Sequence, residues 1–183
     1  MAFAHGRPVP GVEGFYTGIV HPLSTPPQLL ALLALGLLLG QYWPRKFIVA
    51  WRAFALGAIG GLIVGIAGYG HSLGERALLV IALAASLLAA IGPASVSVPG
   101  TMAGAAGFFL GMVSTPDAGP LGAMTVTVIG TYVGANLALF YASGGIGWLR
   151  DRFNKPWALI GLQVIAAWIA AISCLMVALN VVS

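Results

Sequence analysis

The sequence predicts an all-α fold, a polytopic transmembrane bundle of six spans in which the first helix is broken between His21 and Pro27. Three observations carry this. Of 183 residues, 60% are hydrophobic and only 7% are charged, where a soluble domain carries roughly a quarter. Such a chain cannot cover a water-facing surface. Six apolar stretches follow one another, five of them near the length that a hydrocarbon core of ~30 Å asks for. Every break between them holds Gly or Pro, and most hold the scarce charges.

The stretches lie at about 28–43, 47–68, 76–92, 97–115, 121–143 and 157–181, preceded by a short segment at about 11–21 that belongs to the outer side. The breaks read "WPRK", "GYGHSLGE", "GPASVSVP", "TPDAGP" and "GGIGWLRDRFNKP". They leave no room for a second unit, so 1–183 reads as a single transmembrane helical domain. The mean hydropathy of +1.00 agrees. A formal charge of +4 is no argument for nucleic acid, because the few bases serve as orientation signals. One cysteine, Cys174, excludes an intrachain disulfide and any Cys-based zinc motif.

Orientation follows from Lys and Arg. Arg45, Lys46, Arg52, Arg150, Arg152 and Lys155 fall on one side of a six-span chain, and only Arg7 and Arg76 on the other. The positive-inside rule then places both termini on the periplasmic side of a bacterial inner membrane. Tyr42, Trp43, Trp51, Trp148 and Trp157 would form an aromatic belt at the inner interface, and Arg52 can snorkel to it. Near the start, "AFA" has the small-x-small pattern of a signal-peptidase site without the hydrophobic part of a signal. It reads either as the remnant of processing or as coincidence in an alanine-rich chain.

The stretch "HPLSTPPQ", residues 21–28, is the unusual feature. The first apolar stretch supplies about 16 helical residues, or ~24 Å, which falls short of a crossing. "GFYTGIV", residues 14–20, is apolar enough to complete it. Pro22, Pro26 and Pro27 donate no backbone hydrogen bonds, and each disfavours helix in the residue before it. The expected geometry is a short outer helix, a break at His21 to Pro26, and a long helix with Pro27 in its first turn. Broken membrane helices occur where they are buried in protein or line a wet cavity, and transporters use them at substrate sites. The other reading is an interfacial turn with His21 among the headgroups.

On this orientation His5, His21 and His71 lie on the outer side, with Glu13, Glu75 and Asp117, and only Asp151 lies inside. "FFLGMVSTPD", residues 108–117, sets Met112, Ser114 and Asp117 at the outer end of the fourth helix. A thioether suits a soft ion such as Cu(I), whereas imidazole and carboxylate suit nickel, cobalt or zinc. Packing in the core is the competing use of Met112. Within the spans, Asn136 and Gln163 are expected to pair across helices. Glycines recur every four positions at Gly57, Gly61 and Gly65, at Gly100 and Gly104, at Gly107 and Gly111, and at Gly130 and Gly134. Such stripes let helix backbones meet and signify a tight bundle, not a pore.

"GFYTGIVHPLSTPPQLLALLALGLLLG" resembles the opening of the HupE/UreJ family, small six-helix membrane proteins regarded as nickel or cobalt permeases. His21, Pro22 and Ser24 match the family's H-P-x-x-G-x-D-H lead, and "LLALLALGL" matches the helix that follows. Glu75 resembles the acid that opens the family's third helix, and "GTYVGANLALFYASGGIG" its fifth helix with a glycine-rich turn. This chain has Pro27 and Gln28 where the family motif has Asp and His. It has "LGMVSTPD" where a histidine-rich run is usual, and an aromatic near Phe140 in place of a fifth-helix histidine. The resemblance implies a metal site at His21 and Asp117, with Glu75 as a further ligand, and the thioether of Met112 is a fourth candidate from its own chemistry.

Two functions follow as expectations. One is a protein that handles or transports a small cation from the outer side: nickel or cobalt, or a softer ion such as copper. The other is an accessory or structural subunit of a larger membrane complex, or a homo-oligomer, that has lost the family's metal site. No resident cofactor follows from the residues, and the partners are the lipid bilayer and the ion. No nucleophile–base pair, paired carboxylates or phosphate loop points to an enzyme.

Overall fold

The computed structural model describes residues 12–44, 46–68, 71–92, 95, 97–115, 120–153 and 155–182, with the side chains at 12, 13, 71 and 180–182 left aside. His5, Arg7, Arg45, Asp117 and the side chains of Glu13 and His71 therefore lie outside the described residues. Among the described residues seven helices follow in order: α1 Val12–Ser24, α2 Pro26–Gly40, α3 Phe47–Ile66, α4 His71–Ile91, α5 Ser97–Val113, α6 Leu121–Arg152 and α7 Pro156–Val182. There is no strand among the described residues.

Four of them, α3, α4, α6 and α7, are long and apolar enough to cross a membrane. The α1–α2 pair passes that test as one span bent by 72°. α5 is apolar but has 17 residues, about 25 Å of helix against a ~30 Å core. It ends at Val113, where the Ser114 N–H closes the last turn on the Gly111 carbonyl at 3.2 Å. Four to five helices therefore qualify as spans, where the sequence suggested six.

The break in the first helix is sharper than its sequence suggests. Residues 21–24 stay helical with Pro22 inside the helix, and the chain turns at Thr25 alone. Thr25 has φ −97° and ψ 111°, the extended conformation that a following proline imposes. Pro26 and Pro27 occupy the first positions of α2, where no intrahelical N–H is required. They also remove two donors that would have continued α1. The His21 carbonyl accepts from the Thr25 N–H at 3.2 Å and from the hydroxyls of Ser24 and Thr25 at 3.0 Å each. That cluster finishes α1 and fixes the elbow.

α2 is the axis of the molecule. Twelve of its fifteen residues are buried, and it packs chiefly on α4 and α6, with lesser contacts to α5 and α7. At its start Gln28 faces Ser114 at the end of α5, and just past its end Gln41 bonds to Ala89 of α4. Thus α2, α4 and α6 run one way, and α3, α5 and α7 the other.

Two helix pairs are locked by glycine. On α3, a Cβ at Gly57 or Gly61 would overlap the carbonyl oxygens of Gly104 and Phe108, and on α5 one at Gly107 or Gly111 would overlap those of Phe54 and Ala58. On α1, a Cβ at Gly18 would overlap the Thr127 carbonyl, and Gly130 and Gly134 of α6 meet Phe15 and Ile19 in the same way. Lipid gives no hydrophobic force between helices, so this backbone proximity is what holds them. Gly100, part of the same stripe in sequence, has nothing within 4 Å.

The glycine-rich stretch at 144–147, expected as a break after a span at 121–143, lies inside α6, which continues to Arg152. The cause is Trp43. Its indole lies across Gly144 and Gly147, and a Cβ on Gly147 would sit 2.5 Å from Trp43 Cγ. Packing of the ring offsets the roughly 1 kcal/mol that each helical glycine costs. Trp43 also meets Phe47 and Phe140, with ring centroids 4.9 and 5.5 Å apart. The expected aromatic belt is therefore divided: Trp43 and Trp51 turn into the bundle, while Trp148 and Trp157 are exposed.

Gly61→Ala should lower stability by about 1–3 kcal/mol, because the clash is with backbone that cannot rotate away. Gly100→Ala should leave it unchanged or raise it by up to about 1 kcal/mol through reduced chain entropy. Thermal unfolding of both variants in one detergent would check the pair.

Candidate functional site

The α1–α2 elbow opens on one side into a groove of about 390 Å³ lined by Tyr16, Thr17, Val20, His21 and Ser24. His21 is half-buried there, one turn before the bend. The groove exists because α1 is clamped to α6 through Gly18 while α2 departs at 72°. An imidazole, a phenol and two hydroxyl-bearing side chains therefore border a common space.

Beyond the elbow the interior is sealed by a polar pair. Gln28, in the first turn of α2, is 1% exposed, and Ser114, just past α5, is 3% exposed. The Ser114 hydroxyl donates to the Leu110 carbonyl at 2.6 Å and lies 3.5 Å from Gln28 Oε1. It carries a single proton, and the shorter contact takes it. Gln28 Oε1 is left with a marginal contact in a buried site, where a fully paired oxygen would be the rule.

Met112 is buried at 4% exposure. Its Cε lies 2.9 Å from where a Cβ on Gly74 would stand, so the thioether reaches the first turn of α4 beside half-buried Glu75. Met112 and Glu75 thus belong to the α4–α5 contact, whereas His21 belongs to α1, which packs on α6. Among the described residues no three His, Cys, Asp or Glu side chains gather into a metal-binding group. Phe140, at the position that resembles the family's fifth-helix histidine, lies within an aromatic cluster with Trp43, Phe47 and Trp51 at 5.5 to 6.2 Å. No donor atom is offered there.

The amides depart from expectation. Asn136 does not pair across helices: its Nδ2 donates to the Tyr132 carbonyl of its own helix at 2.9 Å, and Oδ1 is buried without a partner. A four-residue back-bond satisfies the donor locally and leaves the acceptor behind. Gln28 carried a signal in the sequence, standing where the resemblance calls for histidine. Its burial did not, because the adjoining prolines suggested a wet break.

Helices that cross a membrane, joined by short turns and locked through glycine, define a polytopic helical membrane protein. The family described as HupE / UreJ protein matches residues 1–176 of the 183, and the chain belongs to that family. Neither the comparison with curated proteins nor that with solved structures gave a match.

Gln28→Met should hold or raise stability, since an apolar chain of similar volume replaces a poorly bonded amide. Gln28→Ala should cost about 2–5 kcal/mol, as other long-to-Ala changes in cores do. Unfolding midpoints in detergent would distinguish a filler from a structural anchor.

Proposed function

We propose that the protein handles or transports a small metal cation, taking it up from the outer side of a bacterial inner membrane with both termini periplasmic. The observation that supports this most is the elbow at Thr25, which places half-buried His21 on an open groove beside a broken span. Discontinuous membrane helices with polar groups at the break are how transporters build substrate sites. In this reading α5 completes a sixth crossing, and His21 makes the first contact with the ion. Asp117 and Met112 share that first contact, with Glu75 as a further ligand, and Gln28 forms the barrier below. Family membership favours nickel or cobalt as the cargo, and the thioether of Met112 adds copper(I) as the soft alternative.

Wild-type cells should accumulate nickel or cobalt, and His21→Ala should abolish the uptake while the protein remains in the membrane. Met112→Leu should weaken binding of copper(I) by at least tenfold and leave nickel binding intact, which titration of purified protein would measure. A protein with neither binding nor uptake would rule this function out.

One observation favours a second reading. The Gln28–Ser114 pair is sealed in the interior where the family motif suggests imidazole, and a carboxamide and a hydroxyl are weak ligands for nickel. An accessory subunit of a larger membrane complex would need no more than this. It predicts a stable partner that co-purifies in mild detergent and no metal in the isolated protein.

A further inference from the structure

At the end of the bundle opposite the elbow lies a second cavity, of about 260 Å³, where the ends of α2, α4 and α6 meet the start of α7. It exists because consecutive helices diverge there. α6 and α7 are joined by a short turn yet scarcely touch, and α7 folds back onto α4 instead. Gly92, at the cavity wall, closes α4 with φ +122°, a conformation open to glycine.

Three polar side chains face this space: Gln41, Arg150 and Gln163. Gln41 Nε2 donates to the Ala89 carbonyl at 2.9 Å, capping the end of α4, while its Oε1 is buried without a hydrogen-bond partner. Arg150 is half-buried and has no carboxylate partner among the described residues. Gln163 sits two turns into α7, exposed along the side that lines the cavity. The remaining wall is aliphatic, with Leu159, Leu162 and exposed Ile91 at the edge.

We infer that this cavity binds the headgroup of an anionic phospholipid with a hydroxylated head, of the phosphatidylglycerol type. A guanidinium with no carboxylate partner among the described residues matches a phosphate, which accepts its N–H groups two at a time. Gln41 Oε1 wants a donor, and a glycerol hydroxyl supplies one where a bare phosphate does not. Pockets that take a whole small molecule begin near ~300 Å³, so this volume suits a head, with the acyl tails left along the aliphatic wall. Basic pockets between membrane helices are known to hold anionic headgroups. Lys46, Arg152 and Lys155 on the same end strengthen the field that draws them. A metal cation is excluded by Arg150. The inference does not depend on the transport reading, since the cavity lies at the far end from His21.

The test uses the full chain in a neutral detergent. Added phosphatidylglycerol should raise the unfolding midpoint by several degrees and remain bound in native mass spectra. Phosphatidylcholine, phosphatidylethanolamine and inorganic phosphate should do neither. Arg150→Gln should weaken phosphatidylglycerol binding at least tenfold, and Arg76→Gln, a change at an exposed arginine at the opposite end of the bundle, should not. Gln163→Leu, on an exposed position that folding does not need, should weaken it severalfold and serves if Arg150→Gln fails to fold. An equal effect of the zwitterionic lipids, a full effect of phosphate alone, or unchanged binding in the Arg150 and Gln163 variants would overturn the inference.

Discussion

The structure depends on backbone touching backbone. In water an apolar helix face is driven against its neighbour, but in a bilayer the lipid tails are as good a solvent for leucine as another helix. What remains is dispersion at close range, and it needs side chains small enough to let the helix axes approach. The α3–α5 and α1–α6 contacts meet that need with glycine on both partners. Central α2 is held differently, by aliphatic packing on nearly every side.

This difference positions the groove. α1 cannot follow α2, because Gly18 ties it to α6 and because Pro26 and Pro27 remove the donors that would carry the helix on. The elbow at Thr25 is the settlement between these two constraints, and the His21 carbonyl with its three donors is where it is fixed. The same segment that makes the protein recognisable as a HupE/UreJ member thus sets a histidine at the rim of an open groove. The interior beneath is closed by Gln28 and Ser114, so the two sides of the elbow differ sharply in access.

Much of this was legible in the sequence. The helical class, the placement of the breaks near prolines and glycines, and the interruption of the first helix all follow from apolar runs and backbone chemistry that act locally. What was not legible depended on partners distant in the chain. That Gly144 and Gly147 belong to a helix could be known only with Trp43 lying on them. That Asn136 bonds along its own helix, and that Gly100 is idle while Gly107 is filled, depends on which face of each helix meets which neighbour. The candidate ligands divided for the same reason: spacing puts Met112 and Glu75 on the same side as His21, but α1 packs on α6 and leaves the others to α4 and α5.

α6 has 32 residues, about 48 Å of helix where the apolar slab is ~30 Å. Even at the ~40° upper end of tilt seen for such helices it outruns the slab, and its polar end, with Arg150, Asp151 and Arg152, is the end that must stand clear. Anything that approaches the molecule on that side meets a rigid cationic stub, held upright by the indole wedged against its flank. A flexible connection there would have let those charges move independently of the bundle.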